Sequence, residues 1–157
     1  MQSTSTLTTD ELQQYVAQVF QEKMPFNQLL GMQISQLDQN KVEIRLPWQD
    51  QLMGNPLLKI LHGGVTAAIL DTVGGLMAIM ETVRLMPVVD LSEFQKRISK
   101  MSTIDMRVDY LLPGKGEEFI ATAEVIRKGA RVAVVRMELH NQNGDHIAFG
   151  TGTYMVG

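Results

Sequence analysis

Between His62 and Glu81 the chain carries one ionisable side chain, Asp71, in a run otherwise made of Val65, Ile69, Leu70, Val73, Leu76, Met77, Ile79, Met80 and small residues. A helix that is apolar on nearly every side must be buried. A carboxylate within it is costly unless it is paired, hydrogen-bonded or put to use. The remainder of the chain therefore has to wrap this helix and provide a setting for Asp71. Small residues at Gly64, Ala67, Ala68, Gly74, Gly75 and Ala78 recur near helical spacing on the side of Asp71. Glycine in a helix interior costs about 1 kcal/mol relative to alanine, so the pattern predicts close approach of another backbone. Gly63 and Gly64 stand where the helix begins. Amides there lack an intrahelical partner and point along the positive end of the helix dipole, ready to receive an anionic or carbonyl oxygen.

A length of 157 residues sets one domain, and a net charge of −3 gives no support to nucleic-acid binding. The absence of cysteine excludes disulfides, thiol nucleophiles and cysteine–zinc sites and suits a reducing compartment. The N-terminus lacks the basic-then-apolar run of a signal peptide. Residues 64–80 approach membrane-span length but include Asp71 and the pair Gly74-Gly75. These features predict a cytoplasmic protein with no membrane span. The three histidines are scattered without close ligand spacing, and His140 and His146 are expected to be exposed beside a hairpin. Neither a metal nor a cofactor is expected.

Residues 1–9 read as disordered or extended, and 10–157 as a single domain. Thr9 or Asp10 would cap a helix over 10–23, with Leu12, Val16 and Phe20 on one face. Phe26, Leu29 and Leu30 form an apolar turn before Gly31. Strands follow at 32–38 and 41–47, where Val42, Ile44 and Leu46 alternate with charged residues. A loop from Pro47 to Leu58 leads to the central helix. Residues 83–101 read as an insertion or lid with a short helix over 92–100, capped by Asp90 or Ser92. The last third reads as an antiparallel meander: strands at 102–112, 118–127, 131–140 and 146–156, with Asn143-Gly144 as a hairpin signal. One long helix against five or six antiparallel strands, with a short leading helix, is an α+β fold.

The run Leu61-His62-Gly63-Gly64, with Asp71 nine positions after His62, resembles the PaaI-like branch of the hotdog-fold thioesterases. So do the strand Thr103-Ile104-Asp105-Met106-Arg107-Val108-Asp109-Tyr110 with Pro113-Gly114 after it, and the turn Arg127-Lys128-Gly129-Ala130-Arg131. The 83–101 segment and the closing Thr153-Tyr154-Met155-Val156-Gly157 resemble the YigI-type bacterial subfamily. The resemblance implies a long central helix wrapped by a curved five- to six-stranded antiparallel sheet, and hydrolysis of acyl-coenzyme A by a homodimer or homotetramer. It makes Asp71 the catalytic carboxylate, as general base or nucleophile, and Gly64 or Gly63 the amide that polarises the thioester carbonyl. It implies that Asn55 and Thr103 help hold the water or substrate.

Gly64 and Asp71 share a helix face but lie about 10 Å apart along the axis, whereas a carbonyl and its attacking water span about 3 Å. One helix cannot serve one carbon with both groups. Two antiparallel helices about a two-fold axis can, which predicts a site shared between copies. His62 at the helix start reads as a capping or positioning residue or as a base. Arg127, Lys128 and Arg131 around Gly129, with Arg97 and Lys100 from the insertion, are candidates for the phosphates of coenzyme A. Met77, Met80 and Met86 are candidates for an adaptable acyl slot suited to medium or long chains. The same resemblance leaves three rivals: an acyl-CoA sensor without catalysis, a dehydratase or hydratase, and hydrolysis on acyl carrier protein.

Overall fold

The computed structural model describes residues 6–157; the expected disorder of the first five residues lies outside these. Thr6–Thr8 (β1) is extended and leads into the first helix, Thr9–Gln18 (α1). The cap is Thr8 rather than Thr9 or Asp10. Its side chain accepts from Glu11 N–H while the Glu11 carboxylate accepts from Thr8 N–H, a reciprocal capping box. Val19–Lys23 continues as a wider π-helical turn. The buried Asn27 amide donates to Phe20 O at 3.1 Å, satisfying a carbonyl in that turn. The apolar turn at 26–30 is a short helix, Pro25–Leu30 (α2), closed by Gly31 at a positive φ of 76°.

Gln33–Leu37 (β2) and Val42–Pro47 (β3) pair antiparallel. Met53–Asn55 (β4) and Ile60–Leu61 (β5) form a small ribbon within the loop that precedes the central helix, Gly63–Arg84 (α3). Val88–Asp90 (β6) pairs with β1, so the leading segment and the 83–101 segment are tied together. Leu91–Ile98 (α4) follows, capped by Asp90, whose carboxylate accepts from the N–H groups of Ser92 and Glu93. The last strands are Ser102–Tyr110 (β7), Glu118–Lys128 (β8), Val132–Asn141 (β9) and His146–Met155 (β10).

The main sheet has the order β2-β3-β8-β9-β10-β7. The expected meander holds for β8, β9 and β10, but β7 lies beyond β10 at the far edge and does not pair with β8. The segment between them is drawn under the start of α3: Leu61 N–H donates to Gly114 O at 2.8 Å and Trp48 N–H to Glu117 O at 2.7 Å. A Cβ on Gly114 would stand 2.7 Å from Leu61 Cβ, so this crossing needs glycine.

α3 lies across β8 and β9. Its Val73, Met77 and Met80, three and four residues apart, form one buried stripe, and β9 buries the row Ala133, Val135, Met137 and Leu139. By length and composition α3 is apolar enough to cross a membrane, but 61% of its apolar window is buried within this chain. Burial of its apolar side chains against the sheet contributes about 1.5–3 kcal/mol for each large one.

Candidate active site

Asp71, Gly75 and Ala78 form the face of α3 turned away from β9, and they line a cavity of about 300 Å³. Asp71 is half-buried. Its Oδ1 accepts from Thr103 Oγ1 at 2.9 Å, and among the described residues nothing donates to Oδ2. Strand alternation alone would not produce this bond. Met106, Val108 and Tyr110 turn towards the helix side, which would send Thr103 outwards. The register between β10 and β7 passes from Thr153↔Asp105 to Tyr154↔Thr103, leaving Ile104 as an extra residue in a β-bulge. The bulge re-aims Thr103 at Asp71, as bulges beside functional sites commonly do.

Tyr154 on β10 was not among the expected site residues. Its hydroxyl donates to Asp71 O at 3.2 Å, and its ring occupies the space left by Gly74, Gly75 and Gly152. A Cβ on Gly74 would be 2.2 Å from the Tyr154 hydroxyl, and one on Gly152 would be 2.7 Å from the ring. The glycines of α3 thus admit an aromatic ring from the sheet, not another backbone as the sequence suggested. Burial, followed by the negative charge of Asp71, pushes the Tyr154 phenol well above its ordinary range, so it stays a neutral donor. The Gly74-Gly75 pair together with a tyrosine two residues after Gly152 was the signal in the sequence.

The start of α3 is capped by His62, whose Nδ1 accepts from Gly64 N–H at 2.8 Å. That amide is therefore engaged in this chain. Among the described residues nothing accepts from Gly63 N–H, while Gly63 O accepts from the Tyr110 hydroxyl at 2.7 Å. His62 acts here as the helix cap. The Asn55 side-chain oxygen accepts from the N–H groups of Leu57 at 3.0 Å and Leu58 at 3.3 Å, holding its own turn. This turn lies next to the helix start, since a Cβ on Gly54 would meet His62 Cα at 2.6 Å. Among the described residues no hydrogen bond joins Asn55 to Asp71.

The expected acyl-slot methionines lie elsewhere. Met77 and Met80 are buried on the sheet-facing side of α3, and Met86 packs on the core beyond its end. The cavity beside Asp71 is lined instead by Phe20 and Met24 of the π-turn region, Ile79 of α3, Ile98 at the end of α4, Met101 beyond it, and Met155. Arg127 and Arg131 are exposed on the turn between β8 and β9, where Gly129 N–H donates to Val132 O at 2.8 Å. The Arg84 guanidinium, with a smaller contribution from Lys128, holds the Glu81 carboxyl below its usual range. On the other side of this turn, Lys96 and Arg97 of α4 and Lys100 just beyond it face Ala130 across a surface depression. α4 therefore borders both the apolar cavity and a basic surface.

Residues 58–148 match the family model described as thioesterase superfamily. The chain belongs to that superfamily, and its fold is the hotdog fold. Thioester hydrolysis is the activity class of this thioesterase. The matched span takes in His62, Gly63, Gly64, Asp71, Thr103 and the Arg127–Arg131 turn, while Asn55 and Tyr154 fall outside it. The chain is 41% identical over 153 residues to the medium/long-chain acyl-CoA thioesterase YigI of Escherichia coli strain K12, covering 98% of this chain and 99% of that one. A crystal structure of a Shewanella oneidensis protein related to the thioesterase superfamily superposes with a TM-score of 0.92 at 51% identity, covering 95% of this chain and 97% of the other.

Proposed function

We propose that this thioesterase hydrolyses medium- to long-chain acyl-coenzyme A to the free acid and coenzyme A, with Asp71 as the catalytic group. The observation that carries the reading is the Asp71 carboxylate itself: Oδ1 is fixed by Thr103 at 2.9 Å, and the side chain lines an apolar cavity. The free Oδ2 takes a proton from water as it attacks the acyl carbon, or attacks that carbon directly. A thioester is already activated, so a positioned carboxylate and a donor for the developing oxyanion suffice. Gly63 N–H supplies that donor, joined by Gly64 N–H when His62 turns away.

Gly63 and Asp71 of one chain are about 12 Å apart along α3, so the donor comes from a second copy, and an isologous dimer carries two sites. Supporting this, β7 is a nine-residue edge strand with Ile104 and Tyr110 half exposed at 50% and 55%. Such an edge is a template for pairing with another chain. The same arrangement covers Thr103, which is exposed in the single chain.

The methionine-rich cavity takes the acyl chain. The cations of α4, with Arg127, Lys128 and Arg131 beside Gly129, hold the phosphates of coenzyme A. One short helix then positions both ends of the substrate. The reading includes a cytoplasmic setting, supported by the cysteine-free sequence.

The test is steady-state hydrolysis of saturated acyl-CoA from butyryl to stearoyl, with the preferred acyl group also presented on acyl carrier protein. Each methylene buried contributes about 0.8 kcal/mol, so kcat/KM rises about three- to fourfold per carbon until the cavity is filled. A maximum at the shortest chain, or preference for the carrier protein, contradicts the reading.

A further inference from the structure

The sheet face opposite α3 holds a side-chain cluster that thioester hydrolysis does not use. Glu138 and His140 lie on the outer face of β9, and His146 of β10 pairs directly with His140. Alternation along β10 would put His146 on the inner face with Ala148 and Gly150. The register instead passes from His146↔His140 to Ala148↔Leu139, and Ile147, the extra residue of this β-bulge, takes the buried position. The turn that joins the strands is fixed by Asn141, whose Oδ1 accepts from the N–H groups of Asn143 and Asp145. Two histidines scattered in sequence thus become rigid cross-strand neighbours, half-buried rather than exposed.

Three further observations define the cluster. The two imidazole rings are stacked, with centroids 4.4 Å apart and planes 10° from parallel. Glu138 Oε2 lies 3.9 Å from His146 Nε2, beyond hydrogen-bond length, while Arg136 Nε stands 4.0 Å from the other carboxylate oxygen. Arg136 is itself anchored by its guanidinium over the Phe149 ring at 4.0 Å. Finally, His146 Nε2 is buried without a hydrogen-bond partner. A buried unpartnered nitrogen is uncommon and points to a bound water or ion. One ligand atom from each of Glu138, His140 and His146 lies within 4.8 Å of the others.

We propose that Glu138, His140 and His146 form a binding site for a divalent transition metal of the zinc class. Two imidazoles and a carboxylate suit such an ion, whereas calcium and magnesium take oxygen ligands. Three protein ligands leave the fourth tetrahedral position to water. Donor atoms around a tetrahedral zinc stand about 3.4 Å apart, given bonds of about 2.0–2.2 Å. The ligand atoms, within 4.8 Å of one another, would close to this spacing by turning their side chains. Imidazole lone pairs lie in the ring plane, so one stacked ring turns about its Cβ–Cγ bond to share an ion with the other. Arg136, by attending one oxygen of Glu138, leaves the second directed at His146, the kind of outer contact that orients a metal ligand. The bound ion would clamp β9 to β10 next to their hairpin.

Zn²⁺ alone is the probe, titrated by calorimetry into the metal-stripped full chain, His146→Gln and His140→Gln. The expected result is one equivalent per chain for the wild type and affinity at least about tenfold weaker in each variant. Zn²⁺ should also raise the melting temperature of the wild type more than that of either variant, as a tighter ligand of the folded state does. Thioester turnover in chelator should be the same in all three proteins, which confirms that the variants fold. No uptake by the wild type, or equal uptake by both variants, overturns the proposal. The outcome is independent of how Asp71 acts.

Discussion

Thr103 donates its hydroxyl to Asp71 Oδ1 at 2.9 Å across the gap between an edge strand and the central helix. The bond fixes one carboxylate oxygen and leaves the other for chemistry. It depends on the extra residue Ile104, without which Thr103 would face outwards. A hydrogen bond to a charged group contributes about 1.5–3 kcal/mol. Thr103→Val should therefore lower kcat about tenfold or more with little change in KM, and Thr103→Ser should restore most of it. Steady-state kinetics of the two variants checks this; equal losses in both would assign Thr103 a packing role only.

The fit of Tyr154 over Gly74 gives a stability prediction. A methyl group at residue 74 would meet the phenol oxygen at 2.2 Å and Met137 Sδ at 3.0 Å. Overpacking of this kind costs about 1–3 kcal/mol. Gly74→Ala should lower stability in urea by that amount despite the better helix propensity of alanine. Adding Tyr154→Phe, which removes the clashing oxygen, should return part of the loss. A Gly74→Ala protein as stable as the wild type would show that the ring can move aside.

His62 separates capping from catalysis. Its Nδ1 accepts from Gly64 N–H at 2.8 Å, the geometry of a helix cap. His62→Ala should cost about 1 kcal/mol of stability while kcat stays within about threefold, because removing the imidazole also frees an amide for the oxyanion. A fall of about a hundredfold or more, the scale of a lost general base, would make His62 the base.

The central helix, its single carboxylate and the alternating strands were legible in the sequence because they rest on local periodicity. Val42, Ile44 and Leu46 are buried as their spacing requires, and α3 runs from Gly63 to Arg84 as its apolar run requires. What escaped depends on tertiary placement. Two β-bulges reverse the faces of Thr103 and His146, and nothing in the local pattern marks them. Thr103 entered the expected site through family resemblance, while His140 and His146, expected beside the hairpin, were read as exposed because the bulge that brings His146 onto the face of Glu138 has no local mark. Met77 and Met80 were near Asp71 in sequence but occupy the opposite side of the helix. Met24, Met101 and Met155 reach the cavity from three separate segments. The glycines of α3 correctly signalled a close approach, but the approaching group, Tyr154, lies about eighty residues away.

The most direct test of the account is the turnover of lauroyl-CoA by Asp71→Asn beside the wild type. The substitution keeps the size of the side chain and leaves Oδ1 able to accept from Thr103, so the fold and its melting temperature should be retained. Removing the carboxylate should lower kcat by about two to four orders of magnitude, with substrate binding preserved. A folded Asp71→Asn protein that turns over at the wild-type rate would contradict the assignment of Asp71 as the catalytic group.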